Sequence, residues 1–260
     1  MRRRCLIAGN WKMHKTISDS VALARAISEG MAEGFEVDIV ICPPFTALSA
    51  VADAIKGTPV GLGAQNLYWE EKGAFTGEIA PVMLQDVGCQ CVIVGHSERR
   101  QFFGETDQTV NRRVKAALTA GLIPIICVGE TLQQRETGIT DQVVRTQVQG
   151  AYAGIDPKAA LNTVIAYEPV WAIGTGKASN GPDADRVSGL IRNEIAGLMG
   201  EEIARQIRIL YGGSVKPENM AEFASQENID GALVGGASLD AQSFLGIAAN
   251  AAKASADKTE

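Results

Sequence analysis

The chain has 260 residues, of which 46% are hydrophobic and 21% charged, a globular balance with enough apolar material for a large core. Its 24 Lys and Arg against 30 Asp and Glu give a net charge of −6, which excludes a general attraction to nucleic acid or to an anionic membrane surface. Any anionic ligand must be held by local groups.

The chain starts with the basic stretch from Met1 to Arg4 and a short apolar run, Cys5 to Gly9, broken at once by Asn10 and Lys12. That run is too short for an export signal, and no later one approaches the roughly 20 apolar residues that span a bilayer, so the cytoplasm is the expected compartment. Further short apolar runs follow at Val37 to Cys42, Val60 to Ala64, Cys91 to Val94, Ile123 to Val128, Thr163 to Tyr167, Ile207 to Tyr211 and Gly231 to Val234. These predict eight strands, and near-continuous hydrophobicity is what strands covered on both faces require. Helical spacing falls between them, as in Val110, Val114, Ala117 and Leu118 closed by Gly121, and in Val187, Leu190, Ile191, Ile195 and Leu198 after Pro182 and Asp183.

Eight strand-plus-helix units without a linker predict an α/β chain, residues 1–260 forming one closed, parallel (β/α)8 barrel domain, close to the roughly 250 residues usual for that architecture. An open doubly wound sheet would usually show a glycine fingerprint after its first strand, where this chain has Asn10-Trp11-Lys12. The five cysteines, Cys5, Cys42, Cys89, Cys91 and Cys127, lack a Cys-x-x-Cys pair and sit mostly in apolar runs, which predicts reduced, buried thiols. With only two histidines, His14 and His96, and no His-Glu-x-x-His helix, a catalytic zinc site is not expected.

A parallel barrel gathers the residues following its strands at one mouth. Here these are Asn10 and Lys12 after the first strand, Gln65 and Asn66 after the third, and His96, Ser97 and Glu98 after the fourth. Glu168 follows the sixth strand, Gly212-Gly213-Ser214 the seventh and Gly235-Gly236 the eighth. Either glycine turn alone is only a tight turn; adjacent after strands seven and eight, they predict a phosphate seat built from backbone N–H groups. Gly174-Thr175-Gly176-Lys177 is not a nucleotide P-loop, because Trp171 stands where its first glycine should be. Lys12 can be a surface lysine, a Schiff-base nucleophile or a fixed charge, and next to a phosphate seat the fixed charge is the simplest. His96 suits donation to a carbonyl oxygen. Glu168, between an apolar strand and the apolar segment Pro169 to Ile173, is predicted to have a raised pKa and to act as a general base. Val170 to Ile173 followed by Gly174 and Gly176 predicts a lid.

Asn10-Trp11-Lys12, Gly95-His96-Ser97-Glu98-Arg99-Arg100, the segment from Ala166 to Gly176 and Tyr211-Gly212-Gly213-Ser214-Val215 together resemble the triose-phosphate isomerase family over essentially the whole chain. The resemblance implies a TIM barrel that interconverts dihydroxyacetone phosphate and D-glyceraldehyde 3-phosphate through an enediolate, without metal or organic cofactor. This family is a standard illustration of a glutamate base, a neutral histidine and a closing loop, so those roles come with the likeness. By it, Glu168 moves the proton, His96 serves the oxygens, Lys12 and Asn10 stabilise the enediolate, and Glu98 supports the Lys12 region. Substrate contacts fall on Asn10, Lys12, Gly174, Ser214, Leu233, Gly235 and Gly236. The likeness also implies a symmetric homodimer in which the loop Gln65 to Ala80, carrying Tyr68, Trp69 and Phe75, docks into its twin, with Thr76 reaching the neighbour's Lys12 region; the bland alternative is that the loop packs on its own barrel.

One departure concerns the hinge. The family runs quickly into Thr-Pro after the lid, whereas this chain has Ala178-Ser179-Asn180-Gly181-Pro182, which puts the contacts of Tyr211 and Ser214 with the hinge in question. The rival readings are a metal-dependent pentose-phosphate epimerase, whose His and Asp clusters are missing from the sequence, a Schiff-base aldolase, and a non-catalytic scaffold barrel, which would be expected to have lost Lys12, His96 or Glu168.

Overall fold

A computed structural model of the chain describes residues 3–31, 36–173 and 179–258. Eight parallel strands, β1 (Cys5–Asn10), β2 (Val37–Cys42), β3 (Val60–Ala64), β4 (Cys91–Val94), β5 (Ile123–Val128), β6 (Val164–Tyr167), β7 (Arg208–Tyr211) and β8 (Gly231–Val234), close in sequence order into a barrel. The predicted strands are all present, shifted by at most one residue at an end, with helices between them.

Burial on both faces explains the largely apolar strands; Asp38 of β2 and Arg208 at the start of β7 are the charged exceptions, and they pair with each other at 2.7 Å. Leu6, Ala8, Cys42, Cys91, Ile93, Ile125, Cys127, Val164, Ala166, Leu210 and Leu233 fill the barrel interior. The alternate residues, among them Ile7, Ile39, Val92, Ile126, Ile165 and Ile209, pack outward against the helices. All five cysteines are buried and unpaired, as their sequence context predicts. Gly63 of β3 makes room for two of them, since a β-carbon there would stand 2.6 Å from Cys42 Sγ and 2.7 Å from Cys91 Sγ.

Helix starts are set by capping. Thr16, Thr106 and Thr131 each form a reciprocal capping box, and Asn180 and Asp240 accept the N–H three residues on. Asn180 starts the helix Gly181–Met199, with Pro182 and Asp183 in its first turn rather than before it. The helix Asp107–Thr119 ends just before Gly121, whose φ of 72° lets the chain turn into β5.

Closure of the barrel depends on Gly231. This residue pairs with Leu6 across the β8–β1 seam at φ 136°, and a β-carbon on it would lie 1.9 Å from the Leu6 carbonyl oxygen. Gly231→Ala is therefore expected to cost more than about 3 kcal/mol, because a disfavoured backbone conformation and a steric overlap add at one ladder position. Urea unfolding followed by circular dichroism measures this; a wild-type midpoint would overturn the assignment.

Candidate active site

Two ladder bonds fix Glu168 at the end of β6. Its N–H donates to Val128 O and the next strand's Gly212 N–H donates to Tyr167 O, both at 2.7 Å. The flanking residues have to be glycine: a β-carbon on Gly212 would stand 2.9 Å from Glu168 Cγ, and one on Gly129 would lie 1.8 Å from the Glu168 carbonyl oxygen. The Glu168 side chain is buried. Its Oε1 lies 3.0 Å from His96 Nε2, and its Oε2 accepts the Ser97 N–H at 2.8 Å.

His96 follows β4 and caps the helix Ser97–Phe102, with Nδ1 accepting the Glu98 N–H at 3.2 Å. Lys12 follows β1 at φ 51°, an unusual conformation for a lysine. It is held there by its N–H on Asn10 Oδ1 at 3.0 Å and by Gln65 Nε2, which donates to the Lys12 carbonyl at 2.8 Å and to that of Cys42 at 2.9 Å. The Lys12 ammonium pairs with Glu98 Oε1 at 2.6 Å, and its stem crosses Gly235, where a β-carbon would come within 3.4 Å of Cε.

These groups face one cavity of about 870 Å³, walled by Asn10, Lys12, His96, Glu168, Leu233 and the turns Gly212-Gly213-Ser214 and Gly235-Gly236. The sequence-predicted residues thus converge, Glu98 through its pair with Lys12, while Gly174 lies outside the described residues. Among the described residues no cluster of three or more His, Cys, Asp or Glu side chains is placed to hold a metal ion.

The electrostatics differ from the sequence expectation for Glu168. Burial pushes its pKa up, yet the His96 ring, its hydrogen bond, the Ser97 N–H and Lys12 outweigh burial and hold the carboxyl below its ordinary value. The apolar flanks were the visible part of the sequence; the donors that reverse their effect belong to other strands. For His96, burial favours the neutral ring, and the Glu168 charge, its hydrogen bond and Glu98 pull the other way, upward on balance. The Glu98 N–H on Nδ1 opposes that pull, because a second ring proton would need the lone pair this donor occupies. A neutral ring with hydrogen on Nε2 satisfies both of its contacts.

Glu130, the second residue after β5, is a site residue that sequence reasoning passed over. Its fully buried carboxylate accepts the Tyr167 hydroxyl at 3.2 Å and Trp171 Nε1 at 2.9 Å, and pairs with Arg135 at 3.4 Å. Arg135 stacks on Trp171 at 4.3 Å and pairs with Asp183 at 2.6 Å, and Asp183 accepts the Ser179 hydroxyl at 3.1 Å. Val170 to Ile173 is therefore less exposed than expected: Ala172 is buried, Val170 and Trp171 are half-buried, and Ile173 faces the cavity. Residues 174–178, with Gly174, Gly176 and Ala178, lie outside the described residues. On the far side, the questioned hinge contact is present, since the Ser179 N–H donates to the Tyr211 hydroxyl at 3.3 Å. Ser214 turns its carbonyl to Asn219 Nδ2 at 3.1 Å.

A buried carboxylate, an imidazole and an ammonium around one cavity at the mouth of a parallel barrel define an enzyme of the acid–base class, with glycine turns opposite suited to a small anion. Comparison with known proteins narrows the class. The triosephosphate isomerase family model matches residues 5–251. A protein named triosephosphate isomerase from Rhodopirellula baltica is 55% identical over 247 residues, 95% of this chain and 97% of its own. Proteins of the same name from Chloroflexus aurantiacus and Carboxydothermus hydrogenoformans are 54% and 53% identical, covering 93% and 94% of this chain and 97% and 98% of their own. The chain belongs to the triosephosphate isomerase family.

Nitrogen-15 NMR of histidine-labelled protein near neutral pH is expected to show His96 as a neutral ring protonated on Nε2, with an unprotonated Nδ1. A doubly protonated imidazolium signature would overturn that assignment.

Proposed function

We propose that the chain, as one barrel domain, interconverts dihydroxyacetone phosphate and D-glyceraldehyde 3-phosphate by a 1,2-proton shift. One observation carries the reading: the Glu168 carboxylate, the neutral His96 ring and the Lys12 ammonium share a cavity whose opposite wall is two glycine turns. In the proposed reaction the substrate phosphate sits on backbone N–H groups of Ser214, Gly235 and Gly236, joined by Gly174. That seat sets the reacting carbons between Glu168 and His96. Glu168 takes a proton from one carbon and returns it to its neighbour, and ionisation below the ordinary range keeps it available as a base at neutral pH. His96 donates from Nε2 to the substrate oxygens, Lys12 and Asn10 stabilise the enediolate charge, and Leu233 supplies an apolar wall. The Lys12 ammonium is engaged by Glu98, and that ion pair supports an electrostatic role over a Schiff-base role. A lid over the cavity would keep water from the enediolate and its phosphate.

We also infer a symmetric homodimer in the cytoplasm. Large exposed apolar side chains gather after β1 to β4, with Met13 at 95%, Phe102 at 66% and Phe103 at 67% exposure, alongside Phe75, Val82 and Met83. Trp69 packs at home, beneath the guanidinium groups of Arg112 and Arg113, so the exposed stretch 70–78, which includes Phe75 and Thr76, is the part of the loop left for a twin. The unpaired, buried cysteines suit a reducing compartment.

A coupled assay with chelator present and no added cofactor tests the activity. Wild type is expected to turn over, and Glu168→Gln to bind substrate while losing at least about 10²-fold in kcat. An inactive wild type would sink the reading, and a fully active variant would remove Glu168 from its role. Sedimentation velocity tests the assembly: wild type is expected as a dimer and Met13→Glu is expected to shift it toward monomer, whereas a monomeric wild type would overturn the dimer.

A further inference from the structure

The charges around the cavity oppose the ligand proposed for it. Besides His96, the ionisable groups that line it among the described residues are the acidic Glu168, Glu218 and Asp240 and the basic Lys12 and Lys216. Lys12 is already matched by Glu98 at 2.6 Å, so its charge is largely compensated before substrate arrives. The whole chain carries a net charge of −6, which adds a repulsive background for a dianion. Lys216 is the remaining cation on this wall. It is exposed, and among the described residues its ammonium has no carboxylate partner.

Its place in the fold is fixed by the loop that follows β7. Ser214 stands two residues before it, and Asn219 ties this stretch at both ends: Nδ2 donates to the Ser214 carbonyl at 3.1 Å and Oδ1 accepts the Lys216 N–H at 2.8 Å. Pro217 then starts the helix Pro217–Ala224. The backbone that carries Lys216 is therefore rigidly coupled to the backbone proposed to seat the phosphate, while the long side chain is free to sample the rim. A flexible ammonium on a fixed base suits a mobile, hydrated anion before it settles onto backbone N–H groups.

We propose that Lys216 is the capture residue of this site, drawing a phosphate dianion to the rim ahead of its seat and so setting the preference for phosphorylated over unphosphorylated trioses. The inference rests on the reading of the cavity as a triose-phosphate site. It assigns Lys216 to encounter and binding, separate from proton transfer at Glu168. Glu218, close in sequence on the same rim, has the opposite effect.

Measurement of kcat/KM for glyceraldehyde 3-phosphate across ionic strength, with unphosphorylated glyceraldehyde as the comparison, tests this. Lys216→Gln is expected to lower kcat/KM by about three- to tenfold at low salt, through KM rather than kcat, with the deficit shrinking toward about 0.15 M salt. Lys216→Arg restores the loss, Glu218→Gln raises kcat/KM, and the ratio of phosphorylated to unphosphorylated substrate falls in Lys216→Gln. Wild-type values at low salt in Lys216→Gln, or a loss equal at every salt concentration and for both substrates, would overturn the assignment. Inorganic phosphate binding by calorimetry gives an arm independent of turnover. Weaker phosphate binding in Lys216→Gln supports capture even if wild type proves inactive, and equal binding rejects it; an inactive wild type counts against the triose-phosphate reading alone.

Discussion

The carbonyl oxygen of Leu6 occupies the space a β-carbon on residue 231 would need, and the barrel closes because that residue is glycine. Closure matters beyond stability. An open sheet would leave β1 and β8 as edges at opposite ends of a row, with Lys12 on one and Gly235 on the other. Joined at the seam, the two strands bring the Lys12 stem across Gly235 and set the ammonium beside the turns that follow β7 and β8. The same closure makes every strand point to one mouth, so groups from β1, β4 and β6 meet although more than 150 positions separate Lys12 from Glu168 in the chain.

At that mouth the structure holds its carboxylate by two donors, one on each oxygen. Ser97 N–H and His96 Nε2 bind one oxygen each of Glu168. Together with the imidazole and Lys12 they keep the carboxyl below its ordinary value in a buried place where an unpaired anion would be costly. Lys12, the nearest strong cation, is tied to Glu98 instead. The ammonium pairs with Glu98, and the Glu168 carboxylate pairs with the imidazole.

The strands were legible in the sequence because they are mostly apolar on both faces and, β2 with its Pro43 aside, end at a polar or glycine residue. Asn10, Lys12, His96, Glu168 and the glycine turns were legible for the same reason, since strand ends in a barrel share a mouth. The environment of Glu168 was not. Its apolar neighbours in sequence argued for a raised pKa, while the groups that lower it come from β1 and β4 and become visible only once the barrel is closed. Glu130 shows a related blind spot. A carboxylate next to Gly129 and Thr131 reads as an ordinary loop residue, and only the fold reveals Tyr167, Trp171 and Arg135 converging on it. Its position after β5 was the signal that could have found it. The hinge departed from the family in composition, yet the contact to Tyr211 uses the backbone N–H of Ser179, which is indifferent to the side chain that stands there.

An acidic chain that binds a dianion has to separate selectivity from bulk charge. Backbone N–H groups at glycine turns do this well: they offer dipoles at short range, add nothing to net charge, and need no cation that would also pair with Glu168. The Glu130 network pairs its charges in the same economical way. Arg135 is committed to Glu130 on one side and to Asp183 on the other. Displacing Trp171 would disturb Glu130, and through Arg135 and Asp183 it would also disturb Ser179, so residues 171 and 179 are coupled through one network.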